Sequence, residues 1–320
     1  MKGIKKGKRE KILVTGGAGF IGSHLANYLI KLNYKVVVID NLVWGFPKVL
    51  RPEIKFIKGD LRKKKEVFKA LRGCQKVIHA AALINVWESY LKPELYFKNN
   101  ILGTINLLEV MRQAGVKDIV FSSSAAVYSP QNKIPIPEEG KLQPLSPYGT
   151  SKLIMEELLY SYHRNYHFNV AIFRYFNPYG PGEYKFPPQH VIPIFFLKAF
   201  ANQPLPVHGK GELIRDYIYI QDLVEAHLLG LSLKGFHVYN IGSGKGCPLR
   251  RLVKLILKIS RSKSPIEYQI IPFGYKIHLY ADISKIKKEL GWQPKTPLEK
   301  GLKKTAKFFK NFFQELKKIK

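Results

Sequence analysis

The sequence predicts an α/β protein, a doubly wound parallel sheet followed by a smaller α/β domain. Three observations carry this. Apolar runs of strand length alternate with longer helical patterns. The runs are apolar at consecutive positions, as in VVVI (36–39), which suits strands buried on both faces of a parallel sheet. Past Phe176 the alternation breaks into the proline- and glycine-rich NPYGPGEYKFPPQ. In order, KILVTG (11–16) is a strand and SHLANYLIKLN (23–33) a helix. KVVVID (35–40) is the second strand, and IKFIKGD (54–60) the third, with a short helix over 63–72. KVIHAA (76–81) is the fourth strand, Asn100 to Ala114 a helix, and DIVFSS (118–123) the fifth strand. Tyr148 to Tyr166 is a long helix, and NVAIFRYF (169–176) the sixth strand. The expected division is 1–175, with 215–240 returning to it, and 176–320 as the second domain.

The 320 residues suffice for a sizeable core, and 46% hydrophobic residues indicate a globular chain. No run of about 18 uncharged apolar residues occurs, so no membrane-spanning helix is expected. The basic MKGIKKGKRE leads straight into an apolar strand, so no secretion signal is read. Cys74 and Cys247 have no metal-ligand spacing; no metal is expected, and two cysteines in this length fit a reducing cytoplasm. Of the net charge of +30, the two ends supply +5 (first eleven residues) and +6 (298–320). Most of the excess is spread through the body and attracts anions generally. Basic clusters such as RKKK (62–65) lack interleaved aromatics, so no nucleic-acid partner is expected.

TGGAGFIG (15–22) places Gly16, Gly19 and Gly22 after a strand and at the mouth of a helix. Such glycines allow a tight turn and close approach to a pyrophosphate, and the helix start adds free N–H groups and partial positive charge. Asp40 ends the second strand about 20 residues on, where a carboxylate accepts from a ribose 2′-hydroxyl and repels a 2′-phosphate. This is a Rossmann cradle that favours NAD over NADP. Asp60 and Leu61, at the end of the third strand, are placed beside the adenine.

Tyr148 and Lys152 lie four apart, on one helix face. A neighbouring ammonium favours the phenolate, as does a positive nicotinamide ring, so Tyr148 is a candidate proton acceptor for an alcohol. SSSAAVY (122–128) closes the fifth strand and offers a serine to the same alcohol.

These segments carry a resemblance. TGGAGFIG, Asp40-Asn41-Leu42, HAAA (79–82), NNILGTINLLE (99–109), FSSSAAVY, PYGTSK, RYFNPYGP (174–181), RDYIYIQDL (215–223), YNIGSG (239–244) and ADISKIKKELGWQPKT (281–296) follow in order. The chain resembles the extended short-chain dehydrogenases/reductases of the nucleotide-sugar epimerase and dehydratase group over nearly its whole length. The resemblance implies Ser124, Tyr148 and Lys152 as the catalytic trio. It places NAD against Gly16, Gly19, Phe20, Ile21, Gly22, Asp40, Asn41, Asp60, Leu61, Ala80, Ala81, Asn100, Ser122, Tyr148, Lys152 and Tyr175. Ser124, Asn177, Val191, Val207 and Arg215 would face a UDP-sugar. The implied reaction is C4 epimerisation of a UDP-hexose through a 4-keto sugar; a UDP-N-acetylhexosamine, a UDP-uronate or a non-catalytic nucleotide-responsive role are the alternatives. A homodimer is implied, with apolar residues such as Leu107, Leu108, Met111, Leu153, Leu158 and Leu159 on more than one helix face.

The chain departs from the group's pattern at three points. Ile84 stands where a lysine is frequent, Pro272 where a second diphosphate-binding arginine is usual, and Ser129 where glycine follows the Val-Tyr pair. After Ser124 come Ala125 and Ala126, where related dehydratases place an Asp-Glu pair and related decarboxylases a glutamate.

Overall fold

β1 (Lys11–Thr15), β2 (Lys35–Asp40) and β3 (Lys55–Lys58) open the chain, with α1 (Phe20–Lys31) between the first two. α2 (Lys64–Leu71), β4 (Lys76–His79), α3 (Val86–Leu91) and α4 (Pro93–Tyr96) follow. Next come a π-helical turn (Phe97–Leu102), α5 (Gly103–Gln113), β5 (Asp118–Ser124), α6 (Pro147–Tyr166) and β6 (Asn169–Tyr175). Then come β7 (Pro178–Tyr179), α7 (Val191–Phe200), β8 (Leu205–His208), β9 (Ile214–Asp216), β10 (Ile218–Tyr219) and α8 (Ile220–Gly230). The chain ends with β11 (Phe236–Ile241), β12 (Gly246–Pro248), α9 (Leu249–Ser260), β13 (Ile266–Gln269), α10 (Ser284–Leu290) and α11 (Leu298–Lys318). This computed structural model describes residues 10–183, 188–270 and 278–318. Pro272 and the first nine residues lie outside the described residues.

Seven strands form one sheet in the order β11-β6-β5-β4-β1-β2-β3. The ladders β1–β2, β1–β4, β2–β3, β4–β5 and β5–β6 are parallel. The order reverses beside β1, and in such sheets ligands meet the carboxyl ends of strands at that point. One side of the core joins Leu13, Val37, Val77, Ile119 and Ile172 of the strands to Leu107, Met111 and Leu159 of α5 and α6. Burial of those three, with Leu108, uses helix faces that the sequence reading set aside for a partner copy. The predicted single helix from Asn100 instead begins as the π-helical turn.

The chain forms two compact units. The first contains the chain up to Asn132, Glu138–Tyr175 and Val224–Asn240; the second contains Lys133–Pro137, Phe176–Leu223 and everything from Ile241. Residues 215–223, expected with the first, belong to the second. In the second unit α7 packs on α11, with the Phe196 and Phe309 rings stacked 6.3 Å apart. β9 pairs antiparallel with β12, and β8 parallel with β13.

Candidate active site

The turn after β1 is tightly packed. Gly16 has φ +64°, and a Cβ there would lie 2.6 Å from the Ala81 Cα. Only glycine combines that backbone with that approach. Gly19 is the N-cap of α1, Phe20 and Ile21 form its first turn, and Gly22 is buried. Ala81 is itself held by hydrogen bonds. Its N–H donates to Thr15 Oγ1 (3.3 Å), which lies 2.7 Å from His79 Nδ1. Thr104 Oγ1 donates to the Asn100 carbonyl (2.6 Å), so it accepts from His79 Nε2 at 3.0 Å. Burial, then the charge of Lys152, lowers the His79 pKa to about 3, which keeps the imidazole neutral.

Asp40 is buried, and its carboxylate accepts from the Ala18 N–H (3.0 Å) and the Leu42 N–H (2.8 Å). Burial raises its pKa against those two bonds. A carboxylate has about four acceptor positions, so it retains capacity for a ribose hydroxyl. Asn41 accepts from the Val43 N–H at 3.2 Å and shapes the same loop.

Ser124, Tyr148 and Lys152 come together at the end of β5. Ser146 caps α6 by accepting from the Gly149 N–H (3.0 Å), which sets Tyr148 in the first turn. Gly149 lies against the Ala126 carbonyl so closely that a Cβ would clash, and this brings α6 onto the turn after Ser124. The Tyr148 hydroxyl is hydrogen-bonded to Ser124. Lys152 is 2% exposed; its Nζ donates to the Ser122 carbonyl (2.8 Å) and lies 4.9 Å from the Phe121 ring centroid. Burial pushes the Tyr148 pKa up to about 12, against the Ser124 bond. Burial also lowers Lys152 to about 7, against the opposing pull of Glu156. A positively charged ligand ring and the positive start of α6 would both favour the phenolate.

In the second unit, Asn177 and Arg215 sit around β9. Asn177 Nδ2 donates to the Asp216 carbonyl (2.8 Å), and Arg215 pairs across to Cys247 in β12. Tyr217 Oη is buried with no hydrogen-bond partner among the described residues.

Residues 12–242 match the model of the NAD dependent epimerase/dehydratase family. The chain belongs to that family. A putative UDP-glucose 4-epimerase of Methanocaldococcus jannaschii is 39% identical, over 94% of this chain and 98% of its own length. The structure of UDP-glucose 4-epimerase with UDP-glucose from Thermotoga maritima aligns with a TM-score of 0.91 at 35% identity, covering 94% of this chain and 99% of that one. A UDP-N-acetylglucosamine 4-epimerase of Methanobrevibacter ruminantium aligns with a TM-score of 0.89 at 33% identity, covering 96% and 100%.

By that kinship the chain is an epimerase whose cofactor is NAD, and the residues present fit the group. The cradle a Gly16 Cβ would fill and the 2′-hydroxyl acceptor at Asp40 are both in place. The other expected positions make these contacts within the chain. The Asp60 carboxylate is bound bidentately by Arg62 (3.0 and 2.5 Å). Leu61 gives its carbonyl to Asn106 (3.0 Å). The Asn100 side chain joins both backbone groups of Leu83 (2.8 and 3.1 Å) and Ser151 Oγ (2.9 Å), so it ties the segment after β4 to α6. Ala80 pairs its N–H with the Thr15 carbonyl (3.2 Å). Tyr175 Oη donates to Ser122 Oγ (2.9 Å) and lies 3.0 Å from His227 Nδ1. Val191 starts α7; Val207 is 1% exposed within β8, so its side chain is a core group. Ile84 is exposed, and Ser129 Oγ accepts from the Gln131 N–H (3.3 Å) within a turn.

Sequence reasoning missed His79, His227, Tyr217 and the buried Arg174–Glu156 pair. The partners of His79 and His227 and the two members of the ion pair are distant in the chain, and Tyr217 Oη has no partner among the described residues, so no local spacing marks any of them. Among the described residues no cluster of metal-ligating side chains occurs, and no helix is long and apolar enough to cross a membrane.

Proposed function

We propose that the chain is a UDP-sugar 4-epimerase that interconverts UDP-glucose and UDP-galactose. The observation that carries this is the Ser124–Tyr148 hydroxyl pair followed by Ala125 and Ala126. A 4,6-dehydratase must also take a proton at C5 and give one at C6, which needs titratable side chains. Neither alanine has one, and both leave room for a sugar to turn. The names of the relatives support the same substrate class.

When bound, NAD supplies the hydride acceptor and donor for C4 of the sugar, and its positive ring favours phenolate at Tyr148. Tyr148 Oη takes the C4 hydroxyl proton as the alcohol becomes a ketone, and returns it after the sugar has turned over. Ser124 Oγ holds the same oxygen by a hydrogen bond. Lys152, fixed on the Ser122 carbonyl, contributes positive charge when protonated. Arg215 and Asn177 hold the diphosphate.

The protein is incubated with UDP-galactose, UDP-N-acetylgalactosamine and UDP-glucuronate, and the products are read by NMR and mass spectrometry. Inversion at C4 without loss of about 18 or 44 mass units is expected, since dehydration and decarboxylation lack their acid and base. Either loss would overturn the reading. Turnover of the N-acetyl sugar alone would favour the function named for the Methanobrevibacter neighbour.

We also propose a homodimer. Leu91, Leu95, Leu102 and Ile154 on α3, α4, the π-helical turn and α6 are exposed; of the residues first assigned to this role, Leu107, Leu108, Met111 and Leu159 are buried and Leu153 and Leu158 half-buried. Light scattering giving a monomer mass at micromolar concentration would reject it.

A further inference from the structure

Asp216 is fully buried and ends β9, directly after Arg215. Its Oδ1 accepts from the N–H and the hydroxyl of Ser243, both at 2.6 Å. Its Oδ2 accepts from the Gly244 N–H (3.0 Å) and the Ala281 N–H (3.2 Å). Four donors from two separate segments thus saturate one carboxylate. Each segment is also laddered to β9. Ser243 and Gly244 lead into β12, whose Cys247 pairs with Arg215. Ala281 follows Leu279, which bridges Arg215 from the other side. The backbone repeats the arrangement, because Asp216 N–H donates to the Leu279 carbonyl (3.0 Å) and Leu279 N–H to the Ile214 carbonyl (3.0 Å). Asp216 therefore fastens both neighbours of β9 at the position next to Arg215. Successive strand side chains alternate faces, so the inward Asp216 anchors the segment from which the Arg215 guanidinium projects. The Asn177 amide rests on the Asp216 carbonyl, so it depends on the same anchor.

We propose that Asp216 is a positioning residue for the substrate's diphosphate, acting through Arg215 and Asn177 rather than by contact. This rests on the UDP-sugar reading above. The chemistry demands an acid rather than its amide. In Asp216→Asn, either flip of the amide would turn an N–H₂ group toward the donors of Ser243 or toward those of Gly244 and Ala281. Half the acceptors would be lost. A diphosphate anchor is sensitive to such a shift, since charge-assisted bonds depend on direction as well as distance.

The test uses the full chain with its cofactor. Asp216→Asn should raise the UDP dissociation constant about tenfold or more by calorimetry, in line with loss of well-aligned charged contacts. KM for the UDP-sugar should rise by a similar factor while kcat stays within about threefold. NAD content, measured by extraction, should be unchanged, because the cradle lies in the other unit. Ser243→Ala removes one hydroxyl donor and keeps the N–H, so a rise of about threefold in the UDP constant is expected. UDP affinity unchanged in either folded variant overturns the proposal. So does loss of UDP and NAD together in step with unfolding by circular dichroism, which would make Asp216 a stability residue only. If wild type does not bind UDP at all, the substrate reading fails first, and this proposal with it.

Discussion

Replacing Glu156 by leucine tests how the buried ion pair behind the catalytic helix is balanced. Glu156 and Arg174 side chains are each 5% exposed and 2.7 Å apart. The Glu156 carboxylate accepts from Arg174 Nε (3.1 and 3.2 Å) and Nη2, and from the Ser123 hydroxyl. Arg174 Nη1 continues to Tyr128 Oη (3.0 Å) and the Glu138 carbonyl (2.9 Å). Glu156→Leu turns the guanidinium donors that met the carboxylate onto apolar surface. Breaking a buried pair in this way costs about 3–5 kcal/mol, or roughly 10²–10⁴ in the unfolding equilibrium. Glu156→Leu with Arg174→Met removes both charges, and such exchanges are often near neutral. Here Tyr128, the Glu138 carbonyl and Ser123 lose partners, at about 1–3 kcal/mol for each left unsatisfied. The double variant should therefore cost clearly less than the sum of the two single variants. Urea unfolding followed by circular dichroism measures the cycle. A single-variant cost under about 1 kcal/mol, or a double-variant cost equal to the sum of the singles, would refute the reasoning.

Tyr148→Phe should lower turnover by about 10²–10⁴ with little change in unfolding, since one hydroxyl is lost from a functional site; activity within about twofold of wild type would exclude it as the proton acceptor. Mass spectrometry of the extracted cofactor should find NAD, and Asp40→Ala should raise the share of NADP by removing a like charge from the 2′-phosphate; NADP as the main species in wild type would contradict the role of Asp40. His79 and His227 are held neutral, with pKa values lowered by burial to about 3. A depressed folded pKa contributes stability above the unfolded value of about 6.5, lost as pH falls toward 3, at about 1.4 kcal/mol per pH unit for each histidine. Urea unfolding at pH 7 and 5 should differ by about 4 kcal/mol; a difference under about 1 kcal/mol would argue against two neutral buried imidazoles.

Six of the seven sheet strands are legible because each contains an apolar run, and the cradle because its glycines sit within eight residues; β11, whose run is broken by His237 and Asn240, is not legible as a strand. Ser124, Tyr148 and Lys152 are legible for a similar reason: two short motifs hold them. What the pattern hides is decided by partners far along the chain. Asp216 reads as an ordinary acid until Ser243 and Ala281 are seen around it. Asn100 reads as a cofactor contact, and only the fold shows its amide bonded to Leu83 and Ser151 as well. The leucines of α5 satisfy a helical spacing that suits a partner as well as a core, and periodicity alone does not choose between them.

The order in which the chain visits the two units constrains how it is made and taken apart. β6 is laid down by Tyr175, but its outer neighbour β11 begins at Phe236, about sixty residues later. During synthesis β6 is thus an open edge, with unpaired backbone groups such as the Val170 N–H that finally donates to the Gly235 carbonyl (2.8 Å). Phe173, whose ring meets His227 and Tyr239, has no cover on that side until the same stretch arrives. A fragment stopped at Tyr175 would keep the whole nucleotide cradle and all three catalytic side chains, yet present that sticky rim to other copies. Nicking one exposed loop would release neither unit, because each is stitched from segments that flank the other in sequence. The cofactor half therefore cannot be dissected out by truncation, and it matures only after much of the second unit has left the ribosome.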